Sequence, residues 1–338
     1  MADTENRRIV LAARPVGEPK PTDFRLVREP VPEPGPGQAL LRTRWLSLDP
    51  YMRGRMNAGK SYAAPVEIDG LMPGGTISEV VASNLPELAV GDHVLAFGGW
   101  QDYSLTSGKA AHKIARGPHE TAHLGVLGMP GRTAYVGLLE IGKPKPGETV
   151  VVAAASGPVG SMVGQIARIK GCRAVGIAGG TEKCRFVKDE LGFDVAIDHR
   201  AADFPDRLKA ACPDGIDIYF ENVGGAVWQA VLPLLNTHAR VPLCGLVSSY
   251  NATEPPAGPD RSPAMMRTFL SSRITVRGFI VSDFAEHARL FEDEAGKWLA
   301  DGLVKYREDV VEGLENAPAG LIGLLKGKNF GKAIVKVS

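Results

Sequence analysis

Up to about residue 125, apolar residues come in short runs that proline and glycine cut apart. Runs at Arg8–Ala12, Phe24–Glu29, Ala39–Leu48, Gly75–Ser83 and His93–Phe97 are rich in β-branched and alternating apolar positions and predict strands. The stretches between them, such as PVPEPGPGQ at 30–38 and VGDHV at 90–94, are built from turn residues. A compact antiparallel barrel or sandwich follows from this spacing. After residue 125 the rhythm changes. Thr149–Ala154 is continuously apolar, as a strand buried on both faces must be. Helical spacing follows at Pro158–Lys170, a strand at Ala174–Ala178 and a helix at Glu182–Leu191. Next come strand Val195–Asp198, helix Phe204–Ala211 and strand Ile216–Glu221, then helix Ala226–Leu235, strand Ala239–Gly245 and a further strand near Ile274–Val281. Strands alternating with helices predict βαβ units and a doubly wound parallel sheet.

Beyond about residue 300 the short-strand rhythm returns, with a closing strand at Lys332–Val337. The expected organisation is therefore α/β with two domains meeting at a cleft. Residues 1–127, completed by 300–338, form a β-rich substrate domain, and 128–299 a cofactor domain. A chain of 338 residues suits such a division.

Charge narrows the partners. Lys and Arg number 39 against 38 for Asp and Glu, which argues against a broad nucleic-acid surface and leaves room for a local anion site. The start, MADTENRRIV, has no apolar signal core, and the apolar run at Val150–Ala155 is far too short to span a bilayer. A soluble cytoplasmic protein, with no membrane partner, is expected. Cys172, Cys184, Cys212 and Cys244 contain no pair at zinc-ligand spacing and read as free thiols.

The strongest chemical signal is AASGPVGSMVG, 154–164, between the first long apolar strand and a helix. Ala155, Gly157 and Gly160 are the small residues of a dinucleotide-binding turn. The chain must turn sharply, let its backbone approach a pyrophosphate, and pack its helix close to the strand. Pro158 suits a first helical turn, whose amides and positive dipole end, around Val159 and Gly160, face the phosphates. An NAD-preferring site ends its second strand in an acid that binds the ribose. Here that strand ends in Ala178–Gly179–Gly180, followed by Thr181, Lys183 and Arg185. A 2′-phosphate fits the vacated space, with Lys183 its leading partner and His199 and Arg200 the other wall. Glu182 is the one dissenting charge. NADPH or NADP is thus the expected cofactor.

No metal is expected. The first 150 residues contain no cysteine, and His93, His112, His119 and His123 have no partners at ligand spacing. No tyrosine is followed by lysine four positions later, so a short-chain-type acid pair is missing too. Hydride chemistry without either device suits an acceptor carbon that is already electrophilic, as in a conjugated carbonyl. Hydride adds at the β-carbon, charge moves to the oxygen as an enolate, and donors must wait where that charge develops.

LSLDPYMRGRM (46–56), FGGWQDY (97–103), LGMPGRTAYVGL (127–138), AASGPVGSMVGQIARIKGC (154–172), FENVGG (220–225), CGLVSSYN (244–251) and LKGKNFGKAIVKV (325–337) occur together. In this combination the chain resembles the zinc-independent branch of the medium-chain reductase superfamily. It looks most like the curcumin, prostaglandin/leukotriene and 2-alkenal reductases. The resemblance implies a GroES-like substrate domain beside a Rossmann domain, NADPH as cofactor, and a homodimer joined near Ile274–Val281. It places Gly157–Gly160 at the phosphates and Lys183 at the 2′-phosphate, with His199 standing where relatives commonly carry tyrosine. It also assigns cofactor contacts to Asn222, to Cys244, Gly245, Leu246, Val247, Ser248, Ser249 and Tyr250, to Phe279, Ile280 and Val281, and to Asn329. Tyr51, Tyr62 and Tyr250 match tyrosines lining the substrate cleft. Tyr250, after the fifth strand of the cofactor domain, is the candidate donor to the enolate; an aromatic wall, with the cofactor's ribose hydroxyl as donor, is the alternative. Loops around Gly59–Ala64 and 251–266 are expected to be mobile covers, with Met265, Met266 and Phe269 as an apolar lid or a packed face. The resulting function is NADPH-dependent reduction of the C=C bond of an enone or enal. A quinone reductase of the same superfamily, and a non-catalytic NADPH-binding scaffold, are the rival readings.

Overall fold

The computed structural model describes residues 4–255 and 257–338. Met1, Ala2 and Asp3, where the N-terminal reading begins, and Pro256, within the proline-rich segment, lie outside the described residues. By its own contacts the chain falls into two units, Met1–Leu124 with Glu308–Ser338, and Gly125–Arg307.

In the first unit, β1 (Glu5–Leu11) and β2 (Phe24–Pro30) form an antiparallel ribbon, paired from Glu5 opposite Pro30 to Leu11 opposite Phe24. The strands β3 (Ala39–Ser47), β4 (Thr76–Ser83), β5 (His93–Ala96), β6 (Tyr103–Thr106) and β7 (His112–Lys113) build a larger sheet. Its remaining strands are Glu308–Glu312 and Lys332–Lys336, parallel to each other, the second antiparallel to β3. β6, β7 and Glu308–Glu312 are too short or too polar to stand out by periodicity. Leu46, Leu48, Met52, Met56, Trp100 and Val335 form the core, and the Phe24 ring stacks on Trp100 at 5.8 Å.

The second unit is a six-stranded, wholly parallel sheet of β8 (Thr149–Ala153), β9 (Arg173–Ala178), β10 (Val195–Asp198), β11 (Ile216–Phe220), β12 (Leu235–Leu243) and β13 (Thr275–Gly278). Its order is β10-β9-β8-β11-β12-β13. The order reverses beside β8, which creates a crevice at the carboxyl ends of β8 and β11, where ligands bind in such sheets. All five residues of β8 are buried. This is the doubly wound α/β architecture, accompanied by the largely antiparallel β unit.

Several elements differ from the periodicity. The helix expected over Glu182–Leu191 is α-helical only for Thr181–Arg185 and widens into a π-turn at Phe186–Glu190. The helix expected to reach Leu235 leaves the α-form after Val231 and tightens through Leu232–Leu234, which contains Pro233, a residue without an N–H to donate. β12 therefore starts earlier than the apolar run suggests and ends at Leu243. β13 stops at Gly278, so Phe279, Ile280 and Val281 lie past its end. The proline-rich segment closes into a helix over Ser262–Ser272. There Phe269 packs edge-on to Trp228 at 6.2 Å, so it belongs to a packed face, while Met266 is exposed. Among the described residues, no helix is long and apolar enough to cross a membrane.

Candidate active site

The turn after β8 is set by close backbone contact. Ala154 adopts the left-handed conformation, with φ of 54°, and its carbonyl accepts the Gly157 amide at 3.0 Å. Ala155 donates to the Ile177 carbonyl of β9 at 2.9 Å, tying the turn to the sheet. A Cβ on Gly160 would stand 2.3 Å from the Ala154 oxygen, so only glycine lets the helix Pro158–Ile169 start this close to the strand. At Gly157 the same Cβ would meet only that oxygen, at 3.4 Å. The space over Gly157 is thus free of protein. Pro158, Val159 and Gly160 begin the helix, whose first amides have no partner within it. The cradle fits an anionic diphosphate.

The tips of β9 and β10 supply cations. Gly180 has φ of 95° and turns the chain without a side chain. His199 Nε2 and Arg200 Nε each lie 3.0 Å from where a Cβ on Gly179 would stand. The acid at the tip of β10, Asp198, is turned inward: its Oδ1 accepts the Gly180 and Arg200 amides, both at 2.9 Å. Burial alone would raise its carboxyl, but these amides, with the charges of His199 and Arg200, hold it below the usual range. Burial, then the charges of Arg200 and Lys183, lower the His199 imidazole against the pull of Asp198. Lys183 is half-buried and within electrostatic reach of His199, whereas Glu182 is exposed. The structure thus brings Lys183, His199 and Arg200 to one turn that exposes no carboxylate from β9.

At the carboxyl ends of β11 and β12 a second cluster forms. Asn222 donates its amide to the Ala153 carbonyl at 2.9 Å, fixing it beside the phosphate turn. Asn222 and Val223 carbonyls accept the Val247 and Ser248 amides, at 3.1 Å each, so FENVGG and CGLVSSYN are stitched together. The Ser248 and Ser249 hydroxyls return to local carbonyls, of Val223 and Leu246, and Leu246 is exposed. Tyr250 is half-buried; its hydroxyl lies 2.9 Å from a Cβ position on Gly245, folded over the Cys244–Gly245 turn. Burial and then Glu221 push the Cys244 thiol up to about 12, which favours the protonated thiol. Phe279 turns its ring into the core against Phe220 and Phe284, each at 6.2 Å, leaving Ile280 and Val281 half-buried at the sheet's end.

In the first unit, Tyr51 opens the short helix Tyr51–Arg55, and Tyr62 follows in an exposed stretch. The Arg55 guanidinium joins them, 6.0 Å from the Tyr51 ring centre and 5.5 Å from that of Tyr62. It also donates to the Ala64 carbonyl at 2.8 Å. Burial, and next the Asp49 carboxylate, raise the Tyr51 phenol well above its ordinary value, so it remains a donor. Asn329, in the same unit, gives its amide to Gly331 at 2.7 Å.

Three contributors escape sequence reasoning. Glu221, buried beneath FENVGG, accepts the Val223 and Gly224 amides at 2.6 and 2.9 Å and the Tyr219 hydroxyl at 3.0 Å, and so shapes the turn carrying Asn222. The acid next to Asn222 is the signal that could have found it. Arg55 lies within LSLDPYMRGRM, four residues after Tyr51, a helical spacing that places it on the same face. Lys332 donates to the Leu48 carbonyl and to Asp49, both at 2.7 Å, immediately before Tyr51. Nothing local in the sequence announces that pair.

The chain matches the model of an N-terminal domain of oxidoreductase over residues 7–114 and that of a zinc-binding dehydrogenase over 158–295. It is 59% identical to the NADPH-dependent curcumin reductase of Escherichia coli (strain K12), over 98% of this chain and 97% of that one. The chain belongs to the medium-chain dehydrogenase/reductase superfamily. It is also 37% identical to the 2-alkenal reductase (NADP(+)-dependent) of Nicotiana tabacum, over 99% and 98% of the two chains. The crystal structure of CurA in complex with NADPH from Vibrio vulnificus superposes with a TM-score of 0.95, at 57% identity, over 98% of this chain and 99% of that one. Although one matching model is described as zinc-binding, no group of three or more His, Cys, Asp or Glu among the described residues could hold a metal ion.

Proposed function

We propose that this protein is an NADPH-dependent reductase of the C=C bond of α,β-unsaturated ketones and aldehydes. The observation that carries the reading is the meeting of Lys183, His199 and Arg200 at the Gly179–Gly180 turn, to which β9 contributes no acid, beside a glycine-tight phosphate cradle. Relatives described as NADPH-dependent curcumin reductase and NADP(+)-dependent 2-alkenal reductase support both cofactor and substrate class.

Bound there, a reduced nicotinamide dinucleotide supplies the hydride. The chain's own residues do the rest. Gly157–Gly160 and the helix start would hold the diphosphate, Lys183 and Arg200 with the His199 imidazole would hold the 2′-phosphate, and Asn222 with the 244–250 turn would receive the nicotinamide end. Tyr250, a phenol whose ordinary pKa is about 10, donates a hydrogen bond to the oxygen on which enolate charge develops. Tyr51 and Tyr62 give the substrate an aromatic surface.

Stopped-flow oxidation of NADPH with a diarylheptanoid enone and a small enal, and NADH as control, tests the reading. Turnover with NADPH and not NADH supports it, and oxidation only by a para-quinone overturns it in favour of quinone reduction. In the same assay Tyr250→Phe is expected to lower kcat roughly 100-fold, the scale of one lost donor to developing charge, with calorimetric NADPH affinity unchanged. Unaltered kcat would leave the tyrosine a packing role.

The same reading makes the protein a homodimer. All four residues of the edge strand β13 are exposed, as are Met266 and Leu270 on the neighbouring helix, and these features support edge pairing between copies. Sedimentation at twice the chain mass is the expected result. The four unpaired cysteines support a reducing, cytoplasmic setting.

A further inference from the structure

We propose that His199 is a proton-taking, specificity-determining wall of the 2′-phosphate subsite: binding the phosphorylated dinucleotide draws a proton onto its imidazole, and binding the unphosphorylated one does not. This rests on the cofactor reading given above and adds a linkage to pH that the reading does not contain.

The geometry carries the argument. His199 Nε2 and the Arg200 guanidinium converge on the space that a side chain at Gly179 would enter, each 3.0 Å from where its Cβ would stand. From the facing helix Thr181–Arg185, Lys183 adds its charge, while Glu182 of that helix is exposed. On the His199 segment itself, Asp198 gives its Oδ1 to the Gly180 and Arg200 amides, which partly satisfies its charge. Without a ligand, the His199 ring, partly desolvated although the residue is exposed at the tip of β10, lies within reach of the charges of Arg200 and then Lys183, which together favour the neutral ring. A doubly charged ester in this space reverses the balance. It screens Lys183 and Arg200 and offers oxygens that an imidazolium donates to more strongly than a neutral ring does. The proton comes from solvent and ends on the imidazole; no bond other than N–H forms. Of these three side-chain types only an imidazole ordinarily changes charge between pH 5 and 8, so His199 is the group that takes up this proton.

The sign is fixed by linkage. A site that binds a proton together with its ligand binds that ligand more tightly as pH falls between the bound and free pKa values, by up to about ten-fold per pH unit. Titration calorimetry on the full chain with NADP+ and NAD+, at pH 7.5 and above in two buffers of different ionisation heat, counts the protons directly. At this pH the 2′-phosphate is already a dianion, its second pKa being near 6 as for other phosphate monoesters.

The expected result is uptake of a fraction of a proton, rising toward one, with NADP+, and none with NAD+. NADP+ affinity should weaken with rising pH, while NAD+ affinity stays flat. His199→Gln and His199→Tyr should still bind NADP+ but lose the uptake and its pH slope. Equal proton counts in the wild type and both variants would overturn the proposal and leave the phosphate to Lys183 and Arg200. A wild type that binds neither dinucleotide would instead remove the cofactor reading and this inference with it.

Discussion

Around residues 154–160 the backbone is held by backbone: the Ala154 carbonyl, the Gly157 amide and the Gly160 Cα approach so closely that no side chain fits between them. Around Tyr51 and Tyr62 the contacts are of another kind. Two rings face one guanidinium at 6.0 and 5.5 Å, and Tyr62 is 59% exposed. The first arrangement has one geometry; the second can adjust by rotating side chains. A cofactor is the same molecule in every turnover, so a rigid cradle suits it. Conjugated carbonyls differ in bulk, and an adjustable aromatic surface suits them. The division predicts that damage to the turn acts through the cofactor, and damage near the tyrosines through the substrate.

The largest expected effect lies under the adjustable region, because it stands on a rigid footing. Lys332 and Asp49 are 3% and 5% exposed, and the lysine also holds the Leu48 carbonyl. Lys332→Met leaves Asp49 buried with, among the described residues, the Ser47 hydroxyl as its remaining side-chain hydrogen-bond partner. The expected cost is about 3–5 kcal/mol, read by denaturant unfolding. Glu308, whose carboxyl burial already raises while Thr121 and Lys332 pull it back, loses one of those counterweights as well. Adding Asp49→Asn should recover most of the loss, since it removes the stranded charge. A single variant as stable as the wild type would mean that the tyrosines need no such footing.

At the turn, Gly160→Ala places a Cβ 2.3 Å from the Ala154 oxygen and 2.8 Å from two further backbone atoms, none of which can rotate away. Overpacking of this sort costs about 1–3 kcal/mol. Thermal unfolding should register it, and NADPH affinity should fall with it. Gly157→Ala separates the two roles. Its Cβ makes an ordinary 3.4 Å contact, so stability should hold while NADPH binding fails. Loss of stability without loss of affinity, in either variant, would show that the cradle is structural only.

The two regions also differ in how far the sequence discloses them. The phosphate turn is legible because its requirement is local: small residues at fixed spacing after an apolar strand. The anion subsite is legible for the same reason, since Gly179, Lys183, His199 and Arg200 all sit within a few residues of strand ends. The Lys332–Asp49 pair joins positions 283 apart, and no periodicity in one chain relates them. The resemblance assigns Phe279 a cofactor contact, and nothing in the residue itself discloses that its ring packs on Phe220 just past the end of β13 at Gly278. The helix Ser262–Ser272 is masked by the prolines and methionines around it, which read as a loop until Phe269 finds Trp228.

The smallest expected effect tests adjustability directly. Arg55→Met removes a guanidinium shared by two rings and its bond to the Ala64 carbonyl, while keeping the aliphatic stem. Each cation–π contact at a partly exposed place is worth about 0.5–1 kcal/mol, and global stability should barely change. The local consequence is release of the segment around Tyr62. Its amides should exchange hydrogen faster, while those of the helix Tyr51–Arg55, packed through Met52 and Met56, keep their protection. KM should rise for a bulky enone more than for a small enal, because the larger substrate needs both rings presented together. NADPH affinity should not move. If exchange around Tyr62 is unchanged, the ring is held by its own packing rather than by the cation. The wall would then be as fixed as the phosphate turn, and selection among substrates would have to come from another part of the chain.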